Sequence, residues 1–142
     1  MSSKIAAGLI AAALPLTAAA APESFTVDPY HSFPYFEVLH LGTSSIRGHF
    51  EKISGKLVLD TAAKSGMIEL AVPTSTLTTG DNDKGSRARS RDEHLRSPDF
   101  FNVAEFPTMS YKGTATKFNG DAPATVEGQL TLQLMEIGRA HV

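Results

Sequence analysis

The stretch VEGQLTLQ, residues 126–133, alternates in a way that decides what kind of fold this is. Val126, Leu130 and Leu132 share one parity, with Gly128 between them, while Glu127, Gln129, Thr131 and Gln133 share the other. A helix would repeat its apolar residues every three or four positions, whereas a repeat of two lines them along one face of an extended strand. MIELAVPTST (67–76) has the same period, with Ile68, Leu70 and Val72 opposed to Met67, Glu69 and Ala71. So does GKLVLD (55–60), where Leu57 and Leu59 oppose Lys56, Val58 and Asp60. Turn formers separate the runs: DTAAKSG at 60–66, NGD at 119–121 and GTS at 42–44. Strands with one apolar face build antiparallel sheets covered on one side only. Several short ones in 142 residues predict a mainly β domain, a sandwich or a barrel.

Composition narrows function by exclusion. With 42% hydrophobic and 20% charged residues the chain is globular rather than disordered. A net charge of -2 gives no bulk attraction to nucleic acid, so none is expected as a partner. The absence of Cys rules out disulfides, thiolate nucleophiles and cysteine-bound metals. The start of the chain, MSSKIAAGLIAAALPLTAAAAPES, has one cation (Lys4), a short apolar run and then alanines. That pattern matches a secretory signal cut near residues 19–21. A membrane helix needs roughly 20 apolar residues, and Pro15 interrupts this run. The expected organisation is a signal peptide at 1–21, one domain at 22–135, and export to the periplasm.

Two segments break the strand period. TGDNDKGSRARSRDEHLRS (79–97) is polar and turn-rich, then becomes compatible with a short helix ending before Pro98. Ser90 makes a fair N-cap, with Asp92 and Glu93 in the first turn. Only Ala88 and Leu95 are apolar there, so the helix is expected to lie across a surface. Leu95, Phe100, Phe101, Val103 and Phe106 would tie it down. The other anomaly is the end, LTLQLMEIGRAHV, which offers no turn signal and so no expected closing hairpin. Its last seven residues, EIGRAHV, read as an in-frame translation of a common sequencing adapter whose next triplet is a stop. Residues 136–142 are therefore expected to be a non-native tail on a natural chain that continues.

Three blocks in order resemble the YceI-like family of periplasmic polyisoprenoid-binding proteins. VDPYHSFPYFEVLHLGTSSIRGHFEKISGKLVLD (27–60) follows that family's D-x-x-H-S…F-x-V-x-H-L-G-x-S-x-V-x-G-x-F…G-x-L pattern. His31, Ser32, Phe36, Val38, His40, Leu41, Gly42, Ser44, Gly48, Phe50 and Gly55 match it, with Ile46 in the valine place. TLTTG (76–80) followed by RDEHLRSPDFFNVAEFPTMSY (91–111) resembles the R-D-x-H-L-R-S-x-D-F-F-x-V stretch, and VEGQLTLQ resembles a G-x-L-T-L strand. The resemblance implies an extended, lipocalin-like antiparallel β-barrel, incomplete here, with one short helix and an interior that holds a long isoprenoid. Two departures stand out. Pro34 replaces a usual β-branched residue and removes a ladder donor, so its strand is expected to be bent or at an edge. The final strands that normally follow LTLQ are missing.

Catalytic and metal-binding readings can be weighed on the same residues. Asp92, Glu93 and His94 adjoin in sequence, but neighbours on a helix do not share a face, and acid–base catalysis needs convergent groups. A periplasmic enzyme using His40 and His94 with Asp92 and Glu93 is the runner-up reading. His31, His40 and His49 could meet at a metal only if strands brought them together, because a spacing of nine forms no local chelate. No metal or cofactor is expected. The basic run KGSRARSR (84–91) could face an anionic head group or membrane surface, or could be a mobile loop offset by neighbouring acids. A third reading is an accessory module of a membrane redox protein.

The leading expectation is non-catalytic binding or transport of a long isoprenoid, an isoprenoid quinone or polyprenyl phosphate. Parity selects Phe36, Val38, His40, Ile46, Phe50, Ile68, Leu70, Val72, Leu130 and Leu132 as the lining. Ser44, Gly48 and Gly128 are expected to leave room among them. The segment 95–101 should cover or brace the barrel.

Overall fold

The computed structural model describes residues 21–132 and the backbone of 135–141; the expected leader therefore lies almost entirely outside the described residues. The strands are β1 (Glu23–Thr26), β2 (Tyr35–His40), β3 (Ser44–Phe50), β4 (Ser54–Asp60) and β5 (Ser65–Pro73). After a 3-10 turn at Thr74–Thr76 come β6 (Leu77–Thr78), the helix α1 (Arg91–Arg96), β7 (Thr108–Asn119), β8 (Ala122–Leu132) and β9 (Met135–His141). The described residues are mainly antiparallel β with one short helix, as the periodicity demands.

The strands form two sheets. One has six strands in the order β1-β4-β5-β7-β8-β9, and the other has three in the order β2-β3-β6. Among the described residues no ladder joins the outer edges of the two sheets, so the barrel is not closed. The chain passes between sheets at Thr74–Thr76. Buried Thr74 secures that corner: its amide donates to Pro107 O at 2.9 Å and its hydroxyl to Phe106 O at 2.7 Å. At the far end of the large sheet, Lys64 Nζ donates to Gly120 O at 2.8 Å and to Asp121 Oδ1 at 2.6 Å, tying two neighbouring hairpin turns together. Pro34 falls immediately before β2, which is an edge strand, and its carbonyl accepts from Phe50 N at 3.0 Å.

Register places the apolar parity of each strand on one face. Across the large sheet Leu57 pairs with Ile68, Leu70 with Tyr111, Val72 with Met109, and Tyr111 with Leu130. In the small sheet Phe36 pairs with Gly48, Val38 with Ile46, and His40 with Ser44. The packed core lies where the two sheets and α1 meet. Phe50, Val72 and Leu77 are its buried centre, with Phe36, Ile53, Leu95, Phe101 and Met109 packed around them. Residues 95–101 thus brace the corner through Leu95 and Phe101.

Three expectations need correction. After Leu132 the chain does pair back, since β9 runs antiparallel to β8 from Leu132↔Met135 to Glu127↔His141; a free strand edge accepts a partner without requiring turn-forming residues. His40 and Val38 do not face an interior: His40 is exposed and Val38 is 54% exposed. Their parity agrees with that of Phe36, but the cover supplied by Phe101 stops short of the hairpin end. Nor do the small residues leave room inside: Ser44 is exposed, and both glycines are overlain. A Cβ on Gly48 would collide with the Phe36 ring, and one on Gly128 would collide with Lys112 O and lie 2.7 Å from Tyr111 Cζ. Aromatic rings have taken the space that the glycines vacate.

Candidate ligand cavity

The large sheet curves around an apolar cavity of about 480 Å³. Strand β5 contributes Ile68, Leu70 and Val72, β7 contributes Met109, Ser110 and Tyr111, and β8 contributes Val126 and Leu130. Ser32, Phe33 and Pro34, ahead of β2, and Ile53, ahead of β4, form the remaining wall. The size and the greasy lining with a few hydroxyls are those of a small-molecule site. Chemically such walls can desolvate a hydrocarbon chain and fix it by shape; they offer no side chain able to act as an acid or base near neutral pH.

The residues selected by parity divide into three groups. Ile68, Leu70, Val72 and Leu130 come together on the cavity wall. Phe36 and Phe50 lie in an aromatic cluster with Phe101, with ring centroids 5.9 Å apart for Phe36–Phe50, 6.4 Å for Phe36–Phe101 and 5.7 Å for Phe50–Phe101. Val38, His40, Ile46 and Leu132 lie outside the wall, Val38 and His40 exposed, Ile46 and Leu132 half-buried. Phe33, Pro34, Ile53, Met109, Tyr111 and Val126 line the cavity without having been singled out. Met109, Tyr111 and Gly113 were legible as a period-two set in TMSYKG, whereas Phe33, Pro34 and Ile53 sit in connections, where no period exists.

The charged cluster near α1 is a clamp. Ser90 caps the helix: its Oγ accepts from Glu93 N at 3.2 Å while Glu93 Oε2 accepts from Ser90 N at 2.8 Å, a reciprocal pair. Asp92 is 1% exposed and its carboxyl group accepts from Thr78 Oγ1 at 3.0 Å, Thr79 N at 2.9 Å and Thr79 Oγ1 at 2.5 Å. Arg96 donates to Ser75 O at 3.1 Å and also to Leu77 O, holding the corner from the other side. His94 turns instead towards Asp99 Oδ2, at 3.1 Å, with the Phe100 ring 4.8 Å away edge-on. Asp92, Glu93 and His94 therefore diverge onto three different partners.

The other histidines are equally scattered. His31 Nδ1 lies 2.6 Å from Asp28 Oδ2, a contact that holds the Asp28 carboxyl below its usual range. His49 packs between the Phe33 and Tyr35 rings, at 6.2 and 5.4 Å. Among the described residues no group of three or more His, Asp and Glu side chains is gathered as for a metal ion. The arginines of the basic run are paired with flanking carboxylates: Arg87 grips Asp81 with two bonds of 2.8 and 2.7 Å, Arg89 reaches Asp99 at 2.7 Å, and Arg91 lies 3.8 Å from Asp81. These guanidinium contacts lower the Asp81 and Asp99 pKa values, Arg87 acting chiefly on the first and Arg89 on the second.

The fold is thus an incomplete antiparallel β-barrel whose large sheet carries an apolar cavity. Residues 25–133 match the YceI-like domain, and the chain belongs to that family. Relatives include a UPF0312 protein of Shewanella denitrificans, 33% identical over 135 residues that make up 93% of this chain and 67% of that protein. A UPF0312 protein of Pseudomonas aeruginosa is 35% identical over 103 residues, covering 72% of this chain and 50% of the relative. Among solved structures, the YCEI protein of Campylobacter jejuni superimposes with a TM-score of 0.52 at 21% identity, covering 75% of this chain and 58% of that one. A cysteine variant, titled a mutant CJ YCEI protein, reaches 0.56 at 20% identity. This chain thus spans between half and two thirds of the proteins it resembles.

Proposed function

We propose that this protein binds a long-chain isoprenoid, such as an isoprenoid quinone or polyprenyl phosphate, and carries it without transforming it. The observation that supports this reading is the apolar cavity walled by Ile68, Leu70, Val72, Met109, Val126 and Leu130, in a chain of the YceI-like family. Burying a methylene is worth about 0.8 kcal/mol, so a prenyl chain has a strong drive to enter without any reactive group to hold it. Ordering the flexible chain offsets part of that gain. The leader-like residues at the start of the sequence support export to the periplasm, where such a carrier would shield the lipid from water. The divergence of Asp92, Glu93 and His94 onto bracing contacts gives the enzyme reading no support.

The test is extraction of protein purified from a periplasm, followed by mass spectrometry of the organic phase. Wild type should yield a stoichiometric isoprenoid. Leu70→Asp, which sets a carboxyl group on the cavity wall, should yield none while keeping the wild-type circular dichroism spectrum. Equal lipid in a folded Leu70→Asp protein would refute the assignment of the cavity.

A further inference from the structure

The cavity wall contains a polar atom that the fold itself leaves unsatisfied. Among the described residues, the Tyr111 hydroxyl is the buried side-chain oxygen or nitrogen without a hydrogen-bond partner. Folded proteins keep few such groups, and one that persists points to a partner outside the chain. Tyr111 lies on β7 between Leu70 and Leu130, lines the cavity with both, and is 8% exposed.

Its ring rests on a cross-strand pair of glycines, Gly113 and Gly128. The hydroxyl is 2.8 Å from where a Cβ on Gly113 would stand, and Val126 Cγ1 is equally close to that point. The hydroxyl therefore lies over the glycines and near Val126, another residue of the cavity wall. Burial pushes the phenol pKa up, so the group keeps its proton and acts as a donor. The other polar side chains of the wall are Ser32 and Ser110, and none of the wall residues is Lys, Arg or His.

We infer that the Tyr111 hydroxyl donates a hydrogen bond to an uncharged oxygen, a carbonyl above all, near one end of an otherwise hydrocarbon ligand. This rests on the isoprenoid reading and narrows it. A ketone- or quinone-like end can enter and be held, whereas a phosphate would lose its hydration against walls that offer no cation.

The experiment compares the full wild-type chain with Tyr111→Phe by titration calorimetry, using three probes: farnesylacetone, an isoprenoid hydrocarbon of the same carbon count, and farnesyl phosphate. Phenylalanine keeps the ring and removes only the unpaired hydroxyl, so the variant should fold at least as well. Loss of one neutral hydrogen bond should weaken farnesylacetone binding about 3- to 10-fold, with the hydrocarbon unaffected. The infrared carbonyl stretch of bound farnesylacetone should lie lower in wild type than in the variant. Unchanged affinity and stretch in Tyr111→Phe, or wild type preferring farnesyl phosphate to the ketone, would overturn the assignment while leaving the carrier reading intact. If wild type bound none of the three, the carrier reading would fall and this one with it.

Discussion

Gly128 shows how much one missing side chain can fix. Its Cα faces Gly113 across the β7–β8 ladder, and a Cβ there would strike Lys112 O and crowd Gly113 Cα at 2.6 Å. Backbone cannot move aside as a flexible side chain can. Gly128→Ala should therefore lower stability by about 1–3 kcal/mol, seen as a lower urea midpoint at unchanged slope. Asp92 is the polar counterpart. Truncation to Ala would leave Thr79 N–H and two threonine hydroxyls without their acceptor in a buried place. Asp92→Ala should cost about 1–3 kcal/mol in the same urea experiment, whereas a catalytic Asp92 would leave stability largely unchanged when removed. The sequence marked both residues, but as an inward gap and as a candidate acid. It could not show that a tyrosine ring fills the gap or that three donors converge on the acid.

At the scale of elements, the strands were legible wherever one face alone was apolar. Residues 67–73 and 126–132 lie in β5 and β8, and the Ser90-to-Glu93 spacing became a capping box, because each depends on contacts within a few residues. The loop between β6 and α1 was not legible. Its order comes from Arg87 and Arg89 reaching Asp81 and Asp99, pairings that charge counting cannot assign. Both carboxyls have folded pKa values below the ordinary 3.8. Their stabilising effect is accordingly complete above pH 3.8 and is lost as pH falls through the lowered folded values. Amide exchange in residues 81–91, corrected for intrinsic rate, should accelerate below pH 3.8. In Arg87→Ala that acid-induced change should be much smaller, since the loop is already loosened at neutral pH.

At the scale of the whole molecule, strands β5, β7 and β8 and the connections before β2 and β4 wall an apolar space that the small core does not fill. A ligand that occupies this space in the folded state alone must stabilise it by mass action. Raising farnesylacetone to about 100 times its Kd should add about 2.7 kcal/mol, and the thermal midpoint should climb steadily with ligand concentration. A midpoint indifferent to every isoprenoid tried would mean that the space does not accept them. The candidate site was half legible at this scale. Ile68, Leu70, Val72 and Leu130 belong to a sheet face that stays intact around the cavity, but Val38 and His40 lie on a hairpin whose same-parity face runs out beyond its cover.

The antiparallel β class, the helix cap and the family could all be read along the chain, because alternation, capping and ordered motifs are local or nearly so. Which apolar faces border open space, which are plugged by Phe36, Phe50 and Phe101, and which are left uncovered emerged from the packing of the folded chain. The physical reason is that parity fixes the side of a strand to which a residue points, whereas burial depends on what the distant chain places opposite it.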